Sequence, residues 1–412
     1  MQIGIVGAGI GGLAAAALLA QAGHAVTLAE RFATPRPLGS GLVVQPVGLA
    51  VLDALGAGEA ARNLGAPIRA MQGFAGGRRV LDVSYRAGTP GLALHRAALF
   101  QLLWTAASGA GVQMATGAAV HAAPRDGARR WLHRAGAEAL GPFDLIVDAS
   151  GASSPLSPLQ ARPLGFGAIW SQVPWPAETP LPGDALTQRY HRAERMAGVL
   201  PIGCLPGDAT RRAAVFWSLP RAALADWPQT DLELWRAEVA EFWPEMAAFL
   251  TTITRTDQMT PAAYSHGALA QPHQPALAFI GDAAHRASPQ LGQGANMALL
   301  DAMALSLALT VALREDPGHA VDRALPLYAG LRRWHLFSYQ AMSAVLTPMY
   351  QSHSRALPLI RDRLLAPLAQ LPPLRRLLSA LVSGDLVLPM AGRAWPAEPP
   401  APKLPEMQES RR

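Results

Sequence analysis

The residues best placed to handle phosphate lie at the very start of the chain, in Gly7-Ala8-Gly9-Ile10-Gly11-Gly12. Glycines at 7, 9 and 12 suit a turn whose backbone N–H groups face an anion. Gly7 permits the tight turn, Gly9 lets the backbone approach a pyrophosphate, and Gly12 lets a helix pack closely on a strand. Downstream, Glu30 sits where a carboxylate accepts hydrogen bonds from ribose hydroxyls. Its charge would repel a 2′-phosphate, so the nucleotide this turn binds is FAD or NAD rather than NADP.

A second cluster, Gly281-Asp282-Ala283-Ala284-His285 followed by Pro289-Gln290-Leu291-Gly292-Gln293-Gly294, has the same grammar: a buried strand, a glycine-rich loop, a long helix. An enzyme holding only NAD has little use for a second such loop. FAD is longer, and a second helix N-terminus can stabilise negative charge at the N1–C2=O edge of a reduced flavin. Asp282 suits ribityl hydroxyls, while Gly292 and Gly294 allow backbone to lie against a ring. The pair therefore reads as a flavin-nucleotide site.

The elements that must position these turns follow from the apolar pattern. Ile3–Val6 and His24–Glu30 are expected strands flanking a helix that runs to Gly23, and Phe143–Asp148 and Ala276–Ile280 are further buried strands. Helices are expected at Val47–Leu55, Arg96–Ser108, Ala295–Leu313, Leu325–Leu346, Leu357–Leu371 and Leu374–Val382, and short strands at Val112–Ala115 and Trp131–His133. Between Arg162 and Tyr264 the chain changes to short strands rich in Pro and Trp, at Gly165–Val173, Thr187–His191, Met196–Pro201 and Arg212–Leu219, with a helix at Asp231–Phe242. The expected fold is α/β: a Rossmann-type, GR2-like FAD-binding domain, an inserted and mainly antiparallel β-sheet substrate domain, and C-terminal helices. The boundaries expected are 1–70, 95–160 and 265–345 for the FAD-binding domain, 71–94 and 161–264 for the substrate sheet, 346–390 for the helices, and 391–412 for a disordered tail.

Composition narrows the chemistry. The 412-residue chain is 50% hydrophobic and 16% charged, which is globular, and its size suggests roughly two to three units. Its one lysine, Lys403, lies in the Pro-rich tail, which excludes P-loop, protein-kinase and pyridoxal chemistries. The single Cys204 excludes an internal disulfide and a multi-cysteine metal site, and no metal site is expected. A net charge of +6 invites a nucleic-acid reading, but the arginines are dispersed without interleaved rings, so no nucleic-acid partner is expected. The apolar stretch Leu299–Leu313 is too short to span a bilayer, and the first residues, Met1 to Val6, already read as a strand, so no signal peptide is expected and the cytoplasm is the expected location.

The motifs together resemble the group A flavoprotein monooxygenases, the p-hydroxybenzoate-hydroxylase-like enzymes that include the ubiquinone-biosynthesis hydroxylases. The resemblance is carried by Gly7-x-Gly9-x-x-Gly12 with Glu30, by Leu94-His95-Arg96, and above all by Gly281-Asp282-Ala283-Ala284-His285…Pro289…Gly292-Gln293-Gly294-x-Asn296…Asp301. It implies FAD held by Gly7, Ala8, Gly9, Gly12, Glu30, Arg31, Arg96, Val120, Gly281 and Asp282, with Pro289, Gly292, Gly294 and Asn296 beside the isoalloxazine. It also implies NADH or NADPH as reductant, O₂ as co-substrate, and hydroxylation of an aromatic, quinone-like or polycyclic small molecule through a flavin C4a-hydroperoxide. The sequence departs from the family where Ser150-Gly151…Ser154…Ser157 replaces an Asp and an Arg of the middle fingerprint.

Asp148-Ala149-Ser150-Gly151 also resembles the wording of FAD-dependent reductases of unsaturated isoprenoid lipids, a second reading, and a non-catalytic flavin-binding protein is a third. Tyr190, His191 and Trp217 are candidates for the substrate side or for sheet packing, and His285 reads as a structural hydrogen-bonding residue. Trp227, Trp235 and Trp243 read as packing, and Cys204 as an inert thiol. The helices carrying Arg361, Arg363, Arg375 and Arg376 among leucines are expected to pack on the FAD domain, with peripheral membrane contact the alternative. The chain is expected to be a monomer or homodimer.

Overall fold

The computed structural model describes residues 1–35 and 39–390; the tail expected to be disordered, 391–412, lies outside the described residues. The apolar run Ile3–Val6 forms the strand Gln2–Val6 at the centre of a six-stranded sheet. Its order is His273–Gln274, Leu277–Phe279, Leu145–Asp148, Gln2–Val6, Ala25–Glu30, Gln113–Thr116. All pairings are parallel except that of the first two strands. Ile3, Ile5, Leu145 and Val147 are fully buried, as strands covered on both faces must be.

The covering helices are Ile10–Gln21, Arg96–Gly109 and Gly294–Glu315, the first packed against both others. Ile10–Gln21 is Ala, Leu and Gly on nearly every side and has no polar face, which fits burial all round. Gly294–Glu315 is long and apolar enough to cross a membrane, but 72% of its most apolar stretch is buried, so it is a core helix.

The second sheet has eight strands, in the order His285–Arg286, Thr260–Ala268, Arg162–Pro174, Arg212–Pro220, Arg195–Pro201, Ala185–His191, Ala70–Ala75, Arg78–Ser84. It is antiparallel apart from the pairing of Ala185–His191 with Ala70–Ala75. Side chains alternate between its faces. Ile169, Val173, Ala197, Val199, Val215 and Trp217 point to a back layer, where Trp227, Trp235 and Trp243 cover them. Trp170, Tyr190, Met196 and Phe216 point to the front. Of the two readings of Trp217, packing describes its surroundings, since its ring is 1% exposed and meets Trp235 and Phe242 edge-on, while its remaining edge borders a cavity shared with Tyr190 and His191. Trp235 lies in the helix Leu232–Phe242, and Trp227 and Trp243 flank it in the same buried cluster.

A three-stranded sheet of Gly41–Val44, Gly91–His95 and Ala66–Ile68 lies between these lobes; a Cβ on Gly41 would meet Ile202 Cγ2 at 2.4 Å. The C-terminal helices differ from expectation in extent. One runs Ala320–Tyr350, straight through Pro326 and Pro348, and Leu357–Leu371 is divided into Ala356–Ile360, a π-helical turn Arg361–Leu365 and Ala366–Ala369. The last helix, Pro372–Ser383, stops at Gly384, whose φ of 88° is the left-handed conformation glycine favours.

Candidate cofactor and active site

At the first turn, Gly7 has φ 99°, and a Cβ on Gly12 would sit 1.9 Å from the Gly7 carbonyl oxygen. Helix and strand therefore approach as closely as only glycine allows. A Cβ on Gly9, the N-cap of Ile10–Gln21, would meet nothing within 4 Å, leaving open space in front of the helix N-terminus. Glu30 ends its strand 8% exposed, its Oε2 accepting from Ala8 N–H at 2.8 Å and its Oε1 from Phe32 N–H at 3.0 Å. The carboxylate thus stiffens the turn from below. Arg31 is exposed, its guanidinium over the Phe32 ring. Val120 packs with Ala29 and Ala118, beside the Glu30 strand end.

At the second turn, Gly281 takes φ 58° and donates its N–H to Asp301 Oδ2 at 2.9 Å. The two turns converge. A Cβ on Gly11 would lie 3.2 Å from Ala298 Cβ, and one on Gly281 would lie 3.3 Å from the same methyl. Asp282 is exposed within the groove so formed and faces Arg96; burial lowers the pKa of Arg96, and the charge of Asp282 acts against that shift. Gly292 has φ 61°, and Cβ atoms built on Gly9 and Gly294 meet nothing within 4 Å.

The Asn296 amide is spent on backbone: Oδ1 accepts from Gln45 N–H at 2.8 Å, and Nδ2 donates to Val43 and Gly292 carbonyls at 3.1 Å. It locks the second loop to the Gly41–Val44 strand. Beside it Gln45, fully buried, accepts from Tyr85 Oη at 2.6 Å, while its Nε2 has no partner among the described residues. A Cβ on Gly292 would be 3.7 Å from that Nε2. An unpaired buried donor beside a left-handed glycine fits a ligand that brings an acceptor to this loop.

Sequence reasoning missed the network behind the second turn. Asp301, 1% exposed, accepts from Arg332 Nε at 2.8 Å and pairs with His285 Nε2 at 2.6 Å. Burial alone would raise its pKa, and His285 and Arg332 overcome this and hold it below the ordinary carboxylate range. Arg332 also meets His335 Nδ1 at 3.1 Å, and His335 Nε2 lies 2.8 Å from the Gly384 carbonyl. A guanidinium only donates and a carbonyl only accepts, so His335 is the neutral Nε2–H tautomer. Burial, reinforced by Arg332, lowers its pKa to about 3. Arg332 sits in a Leu-Arg-Arg stretch that reads as a solvated helix face, so nothing in the sequence marks it.

The middle fingerprint has become a serine network. Asp148, fully buried, accepts from Ser150 Oγ and Ser154 Oγ at 2.5 Å and from Ser150 N–H at 3.0 Å. Burial raises its pKa, and the serine hydrogen bonds oppose the rise. Ser157 donates to the Ala283 carbonyl at 2.5 Å. Asp148 thus folds the loop after its strand and ties it to the second turn, with no carboxylate left for solvent.

The front of the eight-stranded sheet meets these loops where Gln290 Nε2 approaches Met196 Sδ at 3.7 Å. Trp170 and Phe216 lie 4.6 Å apart there, and Trp170 Nε1 donates to Tyr264 Oη at 2.7 Å. Burial raises the Tyr264 phenol to about 12, keeping it protonated. Tyr190 lies on this face but is wedged between Tyr350 and the Arg361 guanidinium. His191, exposed at its strand end, lines a cavity of about 660 Å³ with Tyr190, Trp217, Arg195 and Glu238, so the three substrate-side candidates border one cavity, which no residue of the glycine turns lines.

Two glycine turns closing on one groove, with an inserted sheet facing it, define a flavin-nucleotide-binding α/β protein. Residues 1–335 match the family described as FAD binding domain, and the chain belongs to that family. It is 30% identical over 345 residues to the 2-heptyl-3-hydroxy-4(1H)-quinolone synthase of Mycobacteroides abscessus, covering 80% of this chain and 84% of that protein. It is 26% identical to the FAD-dependent urate hydroxylase of Klebsiella pneumoniae, covering 81% and 89%. Among solved structures, a variant of Klebsiella pneumoniae HpxO complexed with FAD superposes at a TM-score of 0.76 with 21% identity, covering 94% and 100%. Pseudomonas aeruginosa PqsL in complex with 2-aminobenzoylacetate superposes at 0.74 with 23% identity, covering 85% and 96%. The protein is an FAD-dependent monooxygenase, and NADH or NADPH is the family's usual reductant.

Proposed function

We propose that this monooxygenase hydroxylates a flat, uncharged aromatic heterocycle of the alkylquinolone kind, in the groove between the second glycine turn and the front of the inserted sheet. One observation carries the reading: the wall facing Gln290 includes Trp170, Met196, Phe216 and Tyr264, whose one ionisable group is a phenol that stays neutral, and the guanidinium further along this face, Arg361, is bound to Asp362. These four side chains stack a planar ring and offer no cation to a carboxylate. The quinolone synthase activity of the Mycobacteroides relative supports the same substrate class.

FAD, when bound, supplies the oxygen-activating and redox chemistry. The chain's own residues then have limited tasks. The N-termini of Ile10–Gln21 and Gly294–Glu315 would meet the anionic parts of the cofactor. On this reading Glu30, Arg96 and Asp282 would take its hydroxyls and phosphates, Gln45 Nε2 would be the unspent donor beside Gly292, and the aromatic wall would hold the substrate and exclude water. A nucleophilic side chain is not required. Asp148, whose surrounding residues suggested a double-bond reductase, is occupied by Ser150 and Ser154, which leaves that alternative without support. The free Cys204 suits a reducing compartment, and we place the protein in the cytoplasm.

The test is coupled turnover under ¹⁸O₂ with a 2-alkyl-4-quinolone, urate and a benzoate, each with NADH and NADPH. The quinolone should stimulate nicotinamide oxidation most strongly and acquire one labelled oxygen. Preferential, coupled labelling of the benzoate would overturn the substrate class.

A further inference from the structure

Between Arg355 and Leu377 the chain turns its apolar side outward. In this stretch Pro358, Arg361 and Ala366 face the protein. On the opposite side Ile360, Leu364 and Leu368 follow at i, i+4 and i+8, exposed by 41, 55 and 39%. Leu359, Leu371, Leu374 and Leu377 extend the patch, each more than a third exposed. Scattered single leucines on a surface need no explanation, but a contiguous stripe with helical spacing does.

The charges on the same stretch are of one sign. Arg355, Arg363, Arg375 and Arg376 are exposed, and the one acid, Asp362, is bound to the buried Arg361 at 2.6 Å. A second copy of the chain docking here would bring four arginines against four, with no acid on either side to offset them. An anionic lipid surface satisfies both halves of the pattern: leucines enter the headgroup–acyl boundary while guanidinium groups stay with the phosphates.

The last helix, which carries Leu374 and Leu377 of the patch, also reaches the cofactor groove. The far end of Pro372–Ser383 accepts a hydrogen bond at the Val382 carbonyl from Gln293 of the second turn, at 3.0 Å, and at the Leu381 carbonyl from Tyr339, at 2.7 Å.

We propose that residues 355–377 seat the protein peripherally on anionic membranes, leucines inward and arginines at the phosphate level. This surface is independent of the substrate reading, and its test reads binding alone. FAD-loaded, full-length protein is sedimented with vesicles of equal parts phosphatidylglycerol and phosphatidylcholine, and with phosphatidylcholine alone. It should pellet with the first at low salt and be released by high salt. Arg375→Gln and Arg376→Gln should each weaken partitioning roughly five-fold. The pair Leu364→Glu with Leu368→Glu should abolish it while leaving flavin absorbance unchanged. Failure to bind the anionic vesicles overturns the proposal. So does light scattering that reports a dimer which the same Leu→Glu pair dissociates, because the patch then belongs to a second copy.

Discussion

At the scale of single residues, glycines in the first turn do two separable jobs. Gly12 is required by the fold, since a Cβ there would lie 1.9 Å from the Gly7 carbonyl oxygen. Gly9 faces open space, so its role is toward the ligand. Gly12→Ala should therefore destabilise the FAD-free protein by about 1–3 kcal/mol through overpacking against backbone. Gly9→Ala should leave urea denaturation of the FAD-free protein unchanged within about 0.5 kcal/mol, because the new methyl strikes nothing. It should nevertheless weaken FAD binding at least about ten-fold, equivalent to about 1.4 kcal/mol, as followed by flavin fluorescence titration. Equal stability losses in the two variants would refute the division. Both glycines are legible from sequence because their spacing states a steric requirement. Gln45 is not: its orphan donor exists only once Asn296, Tyr85 and Gly292 have been brought around it.

At the scale of elements, the second turn is held by charge inside the protein rather than by its loop sequence. Asp301→Asn would leave the Arg332 guanidinium, 2% exposed, without its counter-charge. The expected cost is about 3–5 kcal/mol, read as a lower urea midpoint with weakened FAD affinity, since the Gly281 N–H loses its charged acceptor as well. His335 adds a pH dependence. Its folded pKa, about 3, lies below the ordinary value of 6.5. The unfolded chain therefore takes up a proton that the folded chain refuses, and stability falls as pH drops below 6.5. Between pH 6.5 and 5 the loss should approach about 2 kcal/mol, whereas the carboxylate of Asp301 contributes its own loss only below about pH 4. In His335→Gln the decline between pH 6.5 and 5 should become shallower by about that amount, the remainder coming from His24, His95, His266 and His273, whose pKa values burial also lowers; an unchanged slope would exclude His335 as a source. These contacts explain what the sequence conceals. Strands and the helix Arg96–Gly109 follow from local periodicity, but the fate of Arg332 depends on partners at 301, 335 and 384. The helix Ala320–Tyr350 likewise runs past Pro326 and Pro348, because its buried face, including Tyr328, Arg332, His335 and Tyr339, supplies contacts that outweigh the lost backbone bonds.

At the scale of the whole molecule, the two sheets share an element: His285–Arg286 is at once the edge of the eight-stranded sheet and the exit of the second glycine turn. The loop after Asp148 is tied to the same turn through Ser157 and Ala283. A ligand gripped at Gly9 and Gly281 therefore bears on both lobes. At a hundred times its dissociation constant FAD should add about 2.7 kcal/mol to stability, which for a chain of this size is a shift of roughly 3 °C in Tm. The location of that gain can be measured separately. Trp217, Trp227, Trp235 and Trp243 form the back layer of the eight-stranded sheet, remote from the groove, so tryptophan emission reports mainly on that lobe. Far-ultraviolet circular dichroism is dominated by the helices around the first sheet. If the lobes unfold as one unit, FAD must move both transitions by the same amount, although it touches no back-layer tryptophan. A tryptophan transition that ignores FAD while the dichroism transition moves would show that the inserted sheet melts independently. The substrate wall would then be held in place by something other than the shared strand and the Asp301 network.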